Sequence, residues 1–286
     1  MTPVTEDCVL PAAGDDRTDM QDWTQRFLDY TAGFGTADTR YELKRVHTLG
    51  VLGYMNALLK LEGITAEDPD LARAARIAAV FHDIGRFEQL RRHDTFFDAK
   101  SADHAALSVQ VLEETAMLQD VEKAWRQRIL TAIAQHNRLE TDIDDPVASR
   151  LCDLVRDADR LDIYRVFAVD DIQDMTAHTA EEAAQSTASP AVIKALLAGR
   201  SVDKRDRQTP MDLWLTYLGF INDFRFSASY RLCKAAGFWR KRFDSIPLAD
   251  PAVRACLEHV EVVLNEHCTG PERDTAPDRG TSLPGL

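Results

Sequence analysis

Four ionisable residues fall where the surrounding sequence asks for apolar ones: His47, His82, His136 and Asp159. Each continues the apolar face of a separate helical segment. An ionisable group facing a core is costly unless it is hydrogen-bonded, paired or bound to a metal. A single histidine of this kind is ordinarily a satisfied core residue. Four of them from four segments, with Asp83 directly after His82, point to a shared site instead. Neutral imidazoles and carboxylates are the ligands that hard and borderline divalent metals take. The cysteines Cys8, Cys152, Cys233, Cys256 and Cys268 are scattered and never form a C-x-x-C pair, which argues against a thiolate site and against a disulfide framework.

The segments that must position these groups read as helices, and β-branched alternating runs are scarce. Leu43, His47, Val51, Tyr54 and Leu58 share one helical face. Leu71, Ala75, Ala78 and His82 share another, in a helix expected to end near Gly85. A stripe of Ala105, Ser108, Val109 and Leu112 starts beside His104. Ile129, Ile133 and His136 align, as do Leu151, Val155, Asp159, Asp162 and Val166. EEAAQSTASP is expected to be a loop. Two further helical stretches follow, MDLWLTYLGFINDFRFSASYRLCKAAGF and PAVRACLEHVEVVLNEHC. The reading is one all-α domain over residues 20–268, with aperiodic, disordered tails at 1–19 and 269–286.

The run AAVFHDIGRFEQL resembles the defining His-Asp signature of the HD-domain superfamily. An upstream histidine in RVHTLG and a downstream aspartate in LVRDADRLD accompany it, in the superfamily's order. The resemblance covers roughly residues 40 to 170, and HDIGRFEQL further resembles a bacterial and archaeal subgroup of HD proteins. It implies an HD-type helical bundle with additional C-terminal helices, acting as a metal-dependent phosphohydrolase. The implied ligands are His47, His82, Asp83 and Asp159. His104 in DHAALSVQVL and His136 in AIAQHN match the variant that holds a second metal. The cofactor is then one or two divalent ions, with Mn, Fe, Mg, Co and Ni all open. Adjacent helical residues point about 100° apart, so His82 and Asp83 can reach different sides of a metal pair and Asp83 can bridge it. Asp103, Asp157 and Asp162 are candidates to orient the ligand histidines.

Arg86 follows the pair by one turn, where many relatives carry a lysine, and its guanidinium could hold phosphate oxygens. Lys100, in FFDAKSADH, is a second candidate phosphate contact. With Asp83 these form the expected catalytic set. Arg91, Arg92, Arg138 and Arg160 are expected to be solvated charges, and His93, His178, His259 and His267 to stand outside the site. Trp214, Tyr217, Phe220, Phe224 and Phe226, beside Arg225, are expected to cover the pocket. Relatives that hydrolyse cyclic di-GMP carry a paired histidine and a Gly-Tyr-Pro element. Here Asn137 stands in place of that histidine and the element is missing, so this substrate has no support.

The same six ligands also occur in HD-fold di-iron oxygenases of the myo-inositol oxygenase-like group, and a catalytically silent, nucleotide-sensing regulator is a third reading. Net charge is -13 with an isoelectric point near 5.1, which argues against a nucleic-acid polymer as partner but not against a small phosphorylated substrate. No apolar stretch approaches the ~20 residues that span a bilayer. Without a basic, apolar leader the chain is expected to be cytoplasmic and to have no membrane partner; its oligomeric state is left open.

Overall fold

The computed structural model describes residues 14–269 apart from 172, 174, 175 and 249. Every regular element among them is helical. The first part of the bundle is built by α1 (Gly14–Ala32), α2 (Thr39–Leu61), α3 (Ile64–Glu67), α4 (Pro69–Phe81), α5 (Gly85–His93), α6 (His104–Glu114), α7 (Lys123–Gln135) and α8 (Pro146–Val169). A C-terminal set follows: α9 (Ala180–Gln185), α10 (Pro190–Leu197), α11 (Pro210–Leu218), α12 (Ser227–Ala236), α13 (Phe238–Lys241) and α14 (Pro251–Thr269).

The starts of these helices are written locally. Asp38, Asp68, Asp103 and Asp145 each turn a side-chain oxygen onto an amide of the first turn, satisfying donors that the helix itself cannot. Pro69, Pro146, Pro190 and Pro210 occupy first-turn positions that need no amide hydrogen.

Helices α2, α4 and α7 pack around α8, while α6 lies between α5 and α7. Buried apolar side chains from Trp23 to Leu264 form one contiguous cluster. α1 closes one side of it, setting Trp23 edge-on to Phe81 and Phe27 edge-on to Phe87. The C-terminal set is tied to α8 by Asp157, which is fully buried and accepts hydrogen bonds from the Arg225 and Phe226 amides and from Ser229 Oγ. Burial pushes the Asp157 carboxyl up to about 6 against the pull of these donors. Glu62 accepts in the same way from the Ala228 amide at the start of α12.

Several local expectations are corrected. α1 begins at Gly14, inside the segment read as an N-terminal tail. Residues 1–13 and 270–286 of the two expected tails lie outside the described residues. Part of EEAAQSTASP is α9, because Thr179 and Glu182 close a reciprocal capping box at its start. Gly85 does not stop a helix by turning left-handed; it opens α5 where that helix presses on α6. A Cβ there would lie 2.3 Å from the Ser108 amide nitrogen and 2.7 Å from the His104 carbonyl oxygen. Arg160 is buried rather than solvated, and its guanidinium binds the Asp223 carboxylate at 2.7 Å. The five C-terminal aromatics serve mainly as core. Trp214 packs on Phe167 and Phe243, and Phe224 on Tyr164 and Tyr230.

Candidate metal centre

Four helices and one turn bring the six candidate ligands together. His47 comes from the middle of α2, His104 opens α6, and His136 caps the end of α7. Asp159 lies within α8. His82 and Asp83 occupy the short turn between α4 and α5. Because the chain stays right-handed through that turn, the two neighbouring side chains still diverge as they would on a helix.

The ligand atoms separate into two overlapping groups. His47 Nε2 lies 3.1 Å from Asp159 Oδ1, and His82 Nε2 lies 3.5 Å from the same oxygen. Asp83 Oδ2 completes this side, 3.7 Å from His47 Nε2 and 3.9 Å from His82 Nε2. On the other side His104 Nε2 and His136 Nε2 stand 3.3 Å apart. Asp83 Oδ1 faces both, at 3.5 and 3.9 Å. One carboxylate therefore turns one oxygen to each group, which is the geometry of a bridging ligand.

The other nitrogen of every histidine is occupied. His47 Nδ1 donates to Asp162 Oδ2 at 2.8 Å, and His104 Nδ1 to Asp98 Oδ2 at 2.7 Å. His82 and His136 donate to the carbonyls of Ala79 and Ile133, each one turn back along its own helix. With each Nδ1 carrying the proton, four Nε2 lone pairs converge on the centre. Two of them face each other across 3.3 Å, an arrangement that repels unless a cation lies near. His82 Nε2 and Asp83 Oδ1 are buried without a hydrogen-bond partner. A donor set of imidazoles and carboxylates with orphaned buried lone pairs fits one or two divalent ions.

The electrostatics agree with that fit. Burial opposes charge on Asp83, yet Lys44 and Arg86 beside it hold the carboxyl well below the usual carboxylate range. Burial likewise opposes charge on Asp159, but the neighbouring His47 and His82 keep it well below the usual carboxylate range. His47 is drawn the other way. Despite its burial, Asp159 and Asp162 raise it to about 9. Burial, with His104 and His82 alongside, pushes His136 down to about 3.

The supporting residues differ in part from those expected. Asp162 does orient His47, and Gly50 makes room for it; a Cβ at residue 50 would lie 2.0 Å from Asp162 Oδ1. Asp157 and Asp103 do other work. Asp157 anchors the C-terminal set, and Asp103 caps α6 and accepts from Asn137 Nδ2 at 2.8 Å. Asp98, Asp103 and His104 also lie within 4.8 Å of one another, but these engagements leave them as the outer layer of the centre.

Asp98 was not legible in the sequence, because it opens a single 3-10 turn six residues before its histidine, with no apolar stripe to mark it. Two cations were missed as well. Lys44, one turn before His47, places Nζ 2.9 Å from Asp83 Oδ2. Arg156 is buried and donates to the carbonyls of His136 and Arg138, pinning the end of α7.

Arg86 reaches the centre as expected. Its Nε is 3.4 Å from Asp83 Oδ1, and Nη1 binds Gln89, the Phe96 carbonyl and Asp98. Burial pushes the Tyr217 phenol up, against the pull of the Arg207 and Arg86 charges. Lys100 does not join the cluster; it is exposed, with its ammonium over the Phe97 ring.

All six candidate ligands fall inside residues 45–164, the stretch that matches the family model for the HD domain. Residues 45–164 are an HD domain. Comparison with curated proteins and with solved structures gave no match. HD domains are commonly metal-dependent phosphohydrolases, and the His/Asp cluster within residues 45–164 is compatible with that chemistry. No helix among the described residues is long and apolar enough to cross a membrane.

Proposed function

We propose that this HD domain hydrolyses a small phosphate ester or nucleotide at a centre of one or two divalent ions. The observation that carries the reading is the division of Asp83 between two groups of Nε2 atoms, whose Nδ1 partners are already fixed. His47, His82, Asp83 Oδ2 and Asp159 would hold a first ion, and His104, His136 and Asp83 Oδ1 a second. When bound, such ions acidify water and polarise phosphoryl oxygens. The protein's own part is to hold the ligands in one tautomer, keep the carboxylates ionised and set positive charge beside the reacting group.

Lys44 and Arg86, on either oxygen of Asp83, favour an anionic substrate. That cationic rim supports phosphoester hydrolysis over the oxidation of a neutral polyol on a di-iron form of the same ligands. The overall charge of -13 supports a small substrate over a polymer. A panel of phosphomonoesters, nucleotides and cyclic nucleotides, run with Mn, Mg, Fe and Co while oxygen consumption is recorded, tests the reading. Metal-dependent release of phosphate or nucleotide, lost in Asp83→Ala, is the expected result. Substrate-dependent uptake of oxygen with no hydrolysis would replace it with the oxygenase reading.

A further inference from the structure

The two cations at the centre are not equivalent. Arg86 commits Nη1 to Gln89, the Phe96 carbonyl and Asp98, while its buried Nε makes only the 3.4 Å ion pair with Asp83 Oδ1. Lys44 has three ammonium protons. Among the described residues it has one hydrogen-bond acceptor, Asp83 Oδ2, and the Phe96 ring lies 5.3 Å from its Nζ. Its side chain is 14% exposed, so the ammonium is largely withdrawn from water yet only partly satisfied. The Arg86 guanidinium sits 5.8 Å from the same ring. The two cations thus bracket Asp83 and Phe96, and on the Lys44 side two ammonium protons have no acceptor among the described residues.

A positive charge in this place works against the centre's own metal. Lys44 touches the oxygen that faces His47 and His82, where it competes for the carboxylate's charge and would repel a divalent ion. A cation with that cost is offset when an anion arrives to share it. We propose that Lys44 is a substrate-binding residue, its ammonium holding a non-bridging oxygen of the phosphoryl group presented to the ions. This rests on the phosphohydrolase reading and fills the role for which Lys100 is too exposed. Lys44 is fixed by its place one turn before His47, so the contact is set by α2 rather than by a loop.

Binding of inorganic phosphate, the product, tests the assignment without turnover. The full chain is loaded with stoichiometric Mn(II), its metal content is measured, and phosphate is titrated by calorimetry into the wild type, Lys44→Met and Lys44→Arg. Lys44→Met should weaken phosphate binding by about 10- to 100-fold, the span of one charge-assisted hydrogen bond. Its Mn(II) content should be equal to or above that of the wild type, and Lys44→Arg should recover most of the affinity. Unchanged phosphate affinity in Lys44→Met overturns the assignment. So does loss of Mn(II) from that variant, which would make Lys44 a support of the ligand cluster. A wild type that binds no phosphate with any metal overturns the phosphohydrolase reading itself, and the role of Lys44 falls with it.

Discussion

Asp83 illustrates how much one side chain can be asked to do. Its oxygens face different nitrogen groups, and each also carries a cation, Lys44 on Oδ2 and Arg86 on Oδ1. Asp83→Ala should remove most bound metal together with activity. His104→Ala and His136→Ala should each release about one equivalent and leave the His47 side filled, as measured by inductively coupled plasma mass spectrometry. Full metal content in both variants would make the centre mononuclear. Arg86 has a narrower task, since it sits at the start of α5 and touches only one oxygen of Asp83. Its loss should fall on kcat by about 10²–10³-fold with metal content unchanged, because a fixed donor acts most on charge that develops in the transition state. Arg86→Lys should restore part of that, having charge but no fork. A lowered melting temperature with wild-type kcat in Arg86→Ala would leave it only its bonds to Gln89, Phe96 and Asp98.

Between helices, the spacing of α2 and α8 decides whether the first ligand is oriented at all. Asp162 is fully buried between them, held by Arg165 at 2.7 Å and reaching His47 only because residue 50 has no Cβ. Gly50→Ala should displace the carboxylate, free the His47 ring to change tautomer and weaken metal binding on that side by about 10–100-fold. Gly53, in the same helix, is the control. A Cβ there meets nothing within 4 Å, so Gly53→Ala should leave metal affinity alone and stabilise the helix by up to about 1 kcal/mol. Equal metal titrations for the two variants would remove Asp162 from the working centre.

For the molecule as a whole, the proposed centre has a consequence for stability. The cluster gathers α2, the α4–α5 turn, α6, α7 and α8, so an ion bound there would hold five parts of the bundle in register. A ligand that binds only the folded state at about 100 times its dissociation constant adds about 2.7 kcal/mol. For a chain of this size that corresponds to roughly 5–10 °C in the melting midpoint. Addition of Mn(II) to metal-stripped protein should raise the midpoint by that order in calorimetry, and chelation should reverse it. The shift should shrink in His47→Ala and vanish in Asp83→Ala. A midpoint indifferent to Mn(II) and chelator would show that these residues do not bind the ion.

The helices and the six candidate ligands were readable along the chain because both are written locally. Caps and apolar stripes set the helices, and a histidine or aspartate on such a stripe stands out against its neighbours. Asp162 was readable for the same reason, one turn beyond Asp159. Lys44, Asp98 and Arg156 were not, since a lysine on a helix, an aspartate in a loop and an arginine on α8 look like solvated charges until their neighbours are known. The same blindness put Lys100 forward as a phosphate contact, although its side chain is exposed, and passed over Lys44, which lies on the helix that faces Asp83. Tertiary structure decided which charges were withdrawn from water, because burial depends on what another segment lays over a residue. It also decided that Asp157 serves the C-terminal helices rather than the metal ligands. The sequence by itself determined the candidate donor set and its order, while packing determined which cations meet it.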